Sequence, residues 1–268
     1  TLMEYLTLKV GHFEINYGDA HFRRTDNGNA LFNPFVGNYV MDAFATEIGG
    51  EVYFRTGPWL AMVGVTNGEI KGAVTNPDRR APSYIGKIGY DEQLNDRLRV
   101  RLTGSLYTTE KSENNTLYAG DRAGSRYYNV MDNAAGADFR NGRMNPGIND
   151  KITAWQINPF VKLGGLELFG IVEKAKGRAA AEVDEREWSQ YAADVIYRFL
   201  PGERLYVGGR YNTVEGELRG VADPVSVDRV QIGAGWFVTP TVLLKAEYVN
   251  QKYNDFPATD IRNGGKFD

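Results

Sequence analysis

The chain has 268 residues, 31 Lys+Arg against 34 Asp+Glu, a formal net charge of −3, no cysteine, and histidine only at His12 and His21. These numbers exclude a disulfide framework, a thiolate metal site and a thiol nucleophile, leave almost nothing for a His-based triad, and lack the basic excess of a nucleic-acid binder. Apolar residues at 42% and aromatics at 12% are too abundant for a disordered chain, and no apolar run reaches the roughly 18 residues of a transmembrane helix.

What recurs along the chain is alternation with period 2, in segments of roughly 9–13 residues. It predicts about eleven strands, near 5–17, 44–56, 59–66, 83–91, 97–109, 152–163, 166–176, 187–199, 204–214, 228–238 and 242–253. In the first strand Leu6, Leu8 and Val10 share a face. After Gly11 the apolar set passes to Phe13, Ile15 and Tyr17, which predicts a bulge at that glycine. The link 18–43 follows, and its Phe22, Phe32, Phe35 and Tyr39 require burial. It is expected to fold into a barrel and bring Arg23 and Arg24 to a constriction; packing on a neighbouring protomer is the alternative.

The next strands place Glu47, Glu51 and Lys87 on the polar side of the alternation. In 97–109, Arg97, Arg99 and Arg101 alternate with Leu98, Val100 and Leu102, a local basic ladder. The long link 110–151 carries Asp132, Asp138 and Asp150, but without EF-hand spacing, so no metal site is expected. Trp155, Ile157, Pro159, Val161 and Leu163 share the apolar face of the following strand. Glu167 and Glu173 lie six residues apart on one strand, about 20 Å, too far for an acid/base pair. Asp194, Arg198, Arg210, Arg229, Lys245 and Glu247 fall on polar faces of the last four strands. Tyr90, Phe199 and Trp236 sit by short turns and Trp155 by a long loop, as interfacial girdles would require; Trp188 falls off the apolar side.

Tight turns at Gly57-Pro58, 92–96, Gly164-Gly165, 201–203 and 239–241 alternate with long links. Hairpin turns at one end and long loops at the other are the pattern of an antiparallel transmembrane β-barrel, with short periplasmic turns and long extracellular loops. A soluble sandwich, the alternative, uses strands of about 5–6 residues. Mean hydropathy of −0.42 suits a barrel, because only alternate residues face lipid. Arginine on a lipid face costs about 2–4 kcal/mol at mid-depth, so the polar face is read as a lumen. The expected pore-lining residues are Arg97, Arg99, Arg101, Lys87, Arg198, Arg210, Arg229, Lys245, Glu47 and Glu51. A charge ladder lining a pore tunes ion selectivity; pairing with wall carboxylates that only stiffens the barrel is the competing reading.

The stretch Leu8-Lys9-Val10-Gly11-His12-Phe13-Glu14-Ile15-Asn16-Tyr17-Gly18-Asp19 resembles the lysine-valine-glycine strand of the phosphate-selective porin group. The continuation through Arg23-Arg24-Thr25-Asp26-Asn27-Gly28-Asn29 and Asn33-Pro34-Phe35 is similar to porin-type outer-membrane proteins of Bacteroidota. The similarity extends through Glu47–Phe54, about 50 residues, and is architectural beyond that. The resemblance implies a barrel of about 16 strands, often trimeric, that passes small anionic solutes. The net charge of −3 and the lumenal carboxylates depart from the strongest phosphate-selective pattern and put phosphate specificity in doubt.

An odd strand count leaves an open edge, so residues 1–268 are expected to form a single outer-membrane barrel domain that is part of a longer one, lacking N-terminal strands and a C-terminal closing strand. A barrel assembled from several chains is the lesser alternative. The function expected is diffusion of small hydrophilic, in part anionic, solutes across a bacterial outer membrane. The alternative is a structural or docking barrel of an outer-membrane complex. No catalytic residue, metal or cofactor is expected. The expected partners are membrane lipids and lipopolysaccharide, small solutes, and a homotrimer or larger outer-membrane complex.

Overall fold

The computed structural model describes residues 4–25, 28–74, 76–119 and 143–267. Asp132 and Asp138 lie outside the described residues. The fold is all-β: one antiparallel sheet in strict sequence order. Its long strands are β1 (Leu6–Glu14), β2 (Thr46–Thr56), β3 (Trp59–Thr66), β4 (Ser83–Gln93), β5 (Leu98–Thr109), β6 (Lys151–Leu163), β7 (Leu166–Arg178), β8 (Arg186–Phe199), β9 (Leu205–Gly216), β10 (Val225–Thr239) and β11 (Val242–Asn254). β12 (Lys266–Phe267) is a two-residue strand antiparallel to β11. Eleven long strands therefore form where the period-2 pattern places them, with ends displaced by a few residues. Among the described residues β1 pairs only with β2 and β12 only with β11.

Alternation sorts the side chains. On β5, Leu98, Val100, Leu102 and Leu106 point one way, and Arg99, Arg101, Thr103 and Tyr107 the other. Leu8, Val63, Ile88 and Leu102 are exposed on the outer surface, as lipid contact requires. At the short-turn end of this surface the Trp59 and Tyr90 rings meet edge to face, 5.0 Å apart, and Tyr197 stacks on Phe199 at 6.2 Å. Trp188 points inward and is buried.

Two expectations change. No bulge occurs at Gly11, because β1 keeps an unbroken register with β2 from Leu6↔Phe54 to Glu14↔Thr46. The apolar set switches sides because Phe13 faces inward beneath Lys9, whose Nζ stands 4.2 Å from the ring centroid. Ile15 and Tyr17 then leave the sheet and join the interior cluster. Arg97 lies in the turn before β5 rather than in the strand, so the inward pair of the ladder is Arg99 and Arg101.

The sheet is curled rather than flat. Asp19 touches β4 and β5 through Lys87 and Arg101, while Val36, tied to Thr25 by a 2.6 Å hydrogen bond, reaches Glu247 on β11. A flat sheet would hold β4 and β11 roughly 34 Å apart at about 4.8 Å per strand. One compact segment touches both, so the strands wrap around it.

Val100 lies on the outer side of β5. A Val100→Arg variant should insert poorly into vesicles, at a cost of about 2–4 kcal/mol if at mid-depth and less nearer the interface. Loss of the heat-resistant, compact gel species reports it; normal insertion would mean that the two faces are reversed.

Candidate functional site

The lumen is occupied. Between β1 and β2 the chain enters the barrel, and Ile15, Tyr17, Asn33, Phe35, Tyr39, Val40 and Met41 are all buried there. This in-folded segment has internal ties. Arg24 pairs with Asp42, the Thr25 amide donates to Asn38 Oδ1 at 2.9 Å, and Asn33 Nδ2 donates to the Gly37 carbonyl at 3.1 Å. Gly18 lets it approach the wall. Gly18 has φ +69°, and a Cβ there would stand 2.1 Å from Gln156 Oε1, so a side chain there would be strained and would displace Gln156.

The wall holds the segment around most of its circumference. Asp19 accepts from Lys87 Nζ at 2.7 Å, from Arg101 Nε at 2.8 Å and from Thr103 Oγ1 at 2.9 Å; its amide donates to Asn158 at 2.8 Å. Arg23 pairs with Glu167 and reaches Asp194 at 3.4 Å. Asp194 also accepts from Arg210 at 2.7 and 2.8 Å and from the Tyr39 hydroxyl at 2.9 Å. The Arg210 guanidinium lies 3.8 Å from the Tyr39 centroid and 4.4 Å from that of Phe35. Arg229 donates to the Asn38 carbonyl at 2.7 Å. Lys245 donates to the carbonyls of Ala30, Asn33 and Phe35 at 3.1, 3.2 and 2.7 Å. The Tyr17 and Tyr118 hydroxyls donate to Glu173 at 3.1 and 2.9 Å. Buried charges need partners: Asp19, Arg23, Asp194 and Arg210 are ion-paired, and Glu173 is held by hydroxyl and amide donors.

The segment divides the lumen into three levels. Toward the long loops the inward faces turn apolar. Leu117, Tyr118, Met144 and Ile148 from the β5–β6 connection pack with Ile152, Trp188, Val225 and Phe256 in one buried cluster. A uniformly polar lumen is therefore not what forms at that end, because the loop folds back to bury its own apolar residues. The middle level is the ion-pair layer. Toward the short turns lies an open cavity of about 990 Å³. Its cationic lining residues are Arg23, Arg55, Arg99, Arg101, Lys162 and Arg198; its anionic ones are Asp19, Glu167 and Glu203.

The predicted site residues separate among these levels. Arg99, Arg101, Arg198 and Arg23 line the cavity, whereas Arg24 faces Asp42 and is buried. Arg99 holds Asp91 bidentately at 2.8 and 2.7 Å, and Arg101 shares that carboxylate at 3.0 Å. Lys87, Arg210, Arg229 and Lys245 grip the in-folded segment. Glu51 accepts from Lys9 at 3.1 Å and from the Asn16 amide at 2.9 Å. Glu47 accepts from Tyr107 at 2.7 Å and from Thr66, near the long-loop end. Asp150 pairs with Arg79 at 2.8 Å. Sequence reasoning missed Asp19 and Asp42, which lie in a link rather than an alternating strand. It placed Asp194 on the polar face without marking its central position.

Asp19 and His21 of the segment are both shifted downward. Burial alone would raise the Asp19 carboxyl, but Lys87 and Arg101 hold it well below the usual carboxylate range. Burial pushes His21 below its ordinary value of 6.5, and its hydrogen bond with Glu14 offsets this only in part. Both are depressed in the folded state. Their stabilisation is complete above the unfolded values and is lost as pH falls, His21 acting first.

No protein-family model and no curated protein matches the chain. Solved structures do. The outer-membrane-expressed OmpT of Vibrio cholerae matches with TM-score 0.54 and 10% identity, over 98% of this chain and 72% of that one. The in-vitro folded, trimeric form of the same protein matches with TM-score 0.55 and 10% identity, over 93% and 67%. The fold is thus that of the bacterial outer-membrane β-barrels.

Removing one partner of a buried pair costs about 3–5 kcal/mol. Asp194→Asn should therefore loosen the in-folded segment and expose it to limited proteolysis while the strands stay paired; unchanged protection would remove Asp194 as its anchor. Thermal stability in detergent should fall as pH drops below the ordinary histidine value of 6.5, and His21→Gln should flatten that slope. An equal slope in both proteins would assign the effect to other groups.

Proposed function

We propose that the chain is a porin-type barrel of a bacterial outer membrane, passing small hydrophilic solutes and favouring anions. The observation that carries this reading is the cavity at the short-turn end, where six cationic side chains meet three carboxylates inside an outer-membrane fold. Short turns are periplasmic in such barrels, so the cavity is a periplasmic vestibule. The in-folded segment is the constriction above it, and Arg99 and Arg101 sit on its wall. Fixed charges at a narrowing set which ions pass.

Lipid and lipopolysaccharide cover the apolar outer face in this reading. A homotrimer is the proposed assembly, the form in which one similar barrel is described. Further strands cover the edge of β1 and the part of β11 that β12 leaves uncovered among the described residues, because unpaired backbone groups do not face hydrocarbon. A second reading, a structural or docking barrel within an outer-membrane complex, is favoured by the apolar cluster that fills the long-loop end.

Planar-bilayer recording on the protein as produced in the outer membrane separates the two. Discrete conductance with an anion-selective reversal potential is expected. Replacing Arg99 and Arg101 by Gln should move that potential toward cations with heat-resistant folding intact; an unchanged potential would leave the arginines a stiffening role. Absence of any conductance, with a stable co-purifying partner, would support the docking barrel.

A further inference from the structure

Exposed apolar side chains on the outer wall are explained by lipid. Three on the in-folded segment are not. Phe22, Leu31 and Phe32 line the vestibule, where lipid does not reach, and Phe22 and Phe32 are 47% and 67% exposed. Phe160 and Phe169 add ring surface from β6 and β7. A contiguous apolar patch left open to water, rimmed by polar groups, marks a binding surface.

The rim is cationic, and part of its hydrogen-bonding capacity is unused. Arg101 is held by Asp19 and Asp91, and Lys162 by Glu203 at 2.7 Å. Arg198, by contrast, makes a single Nε–H bond to Glu167 at 3.1 Å. Arg55 has no carboxylate partner among the described residues; its guanidinium rests 4.7 Å from the Tyr53 centroid. Arg23 lies 4.3 Å from the Phe169 centroid, so cation and ring already meet face to face in this cavity. An inorganic anion would satisfy the guanidinium groups and leave the rings wet. A neutral aromatic would cover the rings and leave the charge excess unanswered.

We propose that the vestibule binds a small aromatic carboxylate, its ring against Phe22, Leu31 and Phe32 and its carboxylate toward the arginines of the rim. The proposal rests on the porin reading only for how the ligand arrives and leaves. Binding itself is an equilibrium property of the cavity and is measured without a membrane.

Isothermal titration calorimetry on the detergent-solubilised protein compares phenylacetate with acetate, 2-phenylethanol and inorganic phosphate. Phenylacetate should bind about tenfold more tightly than acetate, the factor expected for burying much of one ring, and more tightly than the other two. Phe32→Ala, at an exposed position whose loss threatens no packing, should bring phenylacetate down toward acetate and leave acetate unchanged. Arg55→Gln should weaken both acids and spare 2-phenylethanol. Phenylacetate no tighter than acetate, phosphate as tight as phenylacetate, or 2-phenylethanol equal to it would each overturn the proposal. A protein that conducts in bilayers but fails this titration loses the ligand and keeps the porin reading. One that binds phenylacetate but never conducts does the reverse.

Discussion

The wall and its filling are joined at Asp194. Its carboxylate takes two hydrogen bonds from Arg210 on the neighbouring strand, one from the Tyr39 hydroxyl, and the longer reach of Arg23. Arg210 in turn lies against the rings of Tyr39 and Phe35. A carboxylate so deep inside a barrel is tolerable only because cations and donors surround it. The same contacts fix the level of the in-folded segment, and hence where the open vestibule ends and the packed part of the lumen begins.

That level decides what the lumenal charges do. Those above it, such as Lys87 and Arg229, serve as clamps on a piece of chain. Those below it, such as Arg99 and Arg198, look into the open cavity. One face of one sheet therefore supports two chemistries, and position along the barrel axis separates them. The ladder at Arg99 and Arg101 straddles the boundary, since Arg101 both lines the vestibule and holds Asp19.

Strand positions and facing were legible in the sequence because each side chain's direction follows from its parity. Arg99, Arg101, Arg210 and Lys245 point inward for that reason. What parity does not report is what the inward face meets. Phe13, Ile15 and Tyr17 broke the pattern because they turn toward an interior filled by protein, and a bulge was the local explanation available. The apolar cap around Trp188 and Leu117 was illegible for the same reason: alternation names two faces, not their surroundings. Arg97 fell outside its strand by one residue at a turn, where period-2 reasoning is weakest. Asp19 and Asp42 gave no signal because links carry no periodicity.

The cage around Lys245 has a consequence for the order of assembly. The three carbonyls that surround its ammonium belong to residues 30–35, while Lys245 itself stands on β11, and the contacts join parts of the chain more than 200 residues apart, as the Lys245–Phe35 separation of 210 shows. Such long-range closure comes late in folding, after the intervening strands have met. The first loop of the chain is thus among the last parts to settle. Until β10 and β11 arrive, the growing sheet holds the segment only from β4 to β9, through contacts such as those of Asp19, Arg23 and Tyr39.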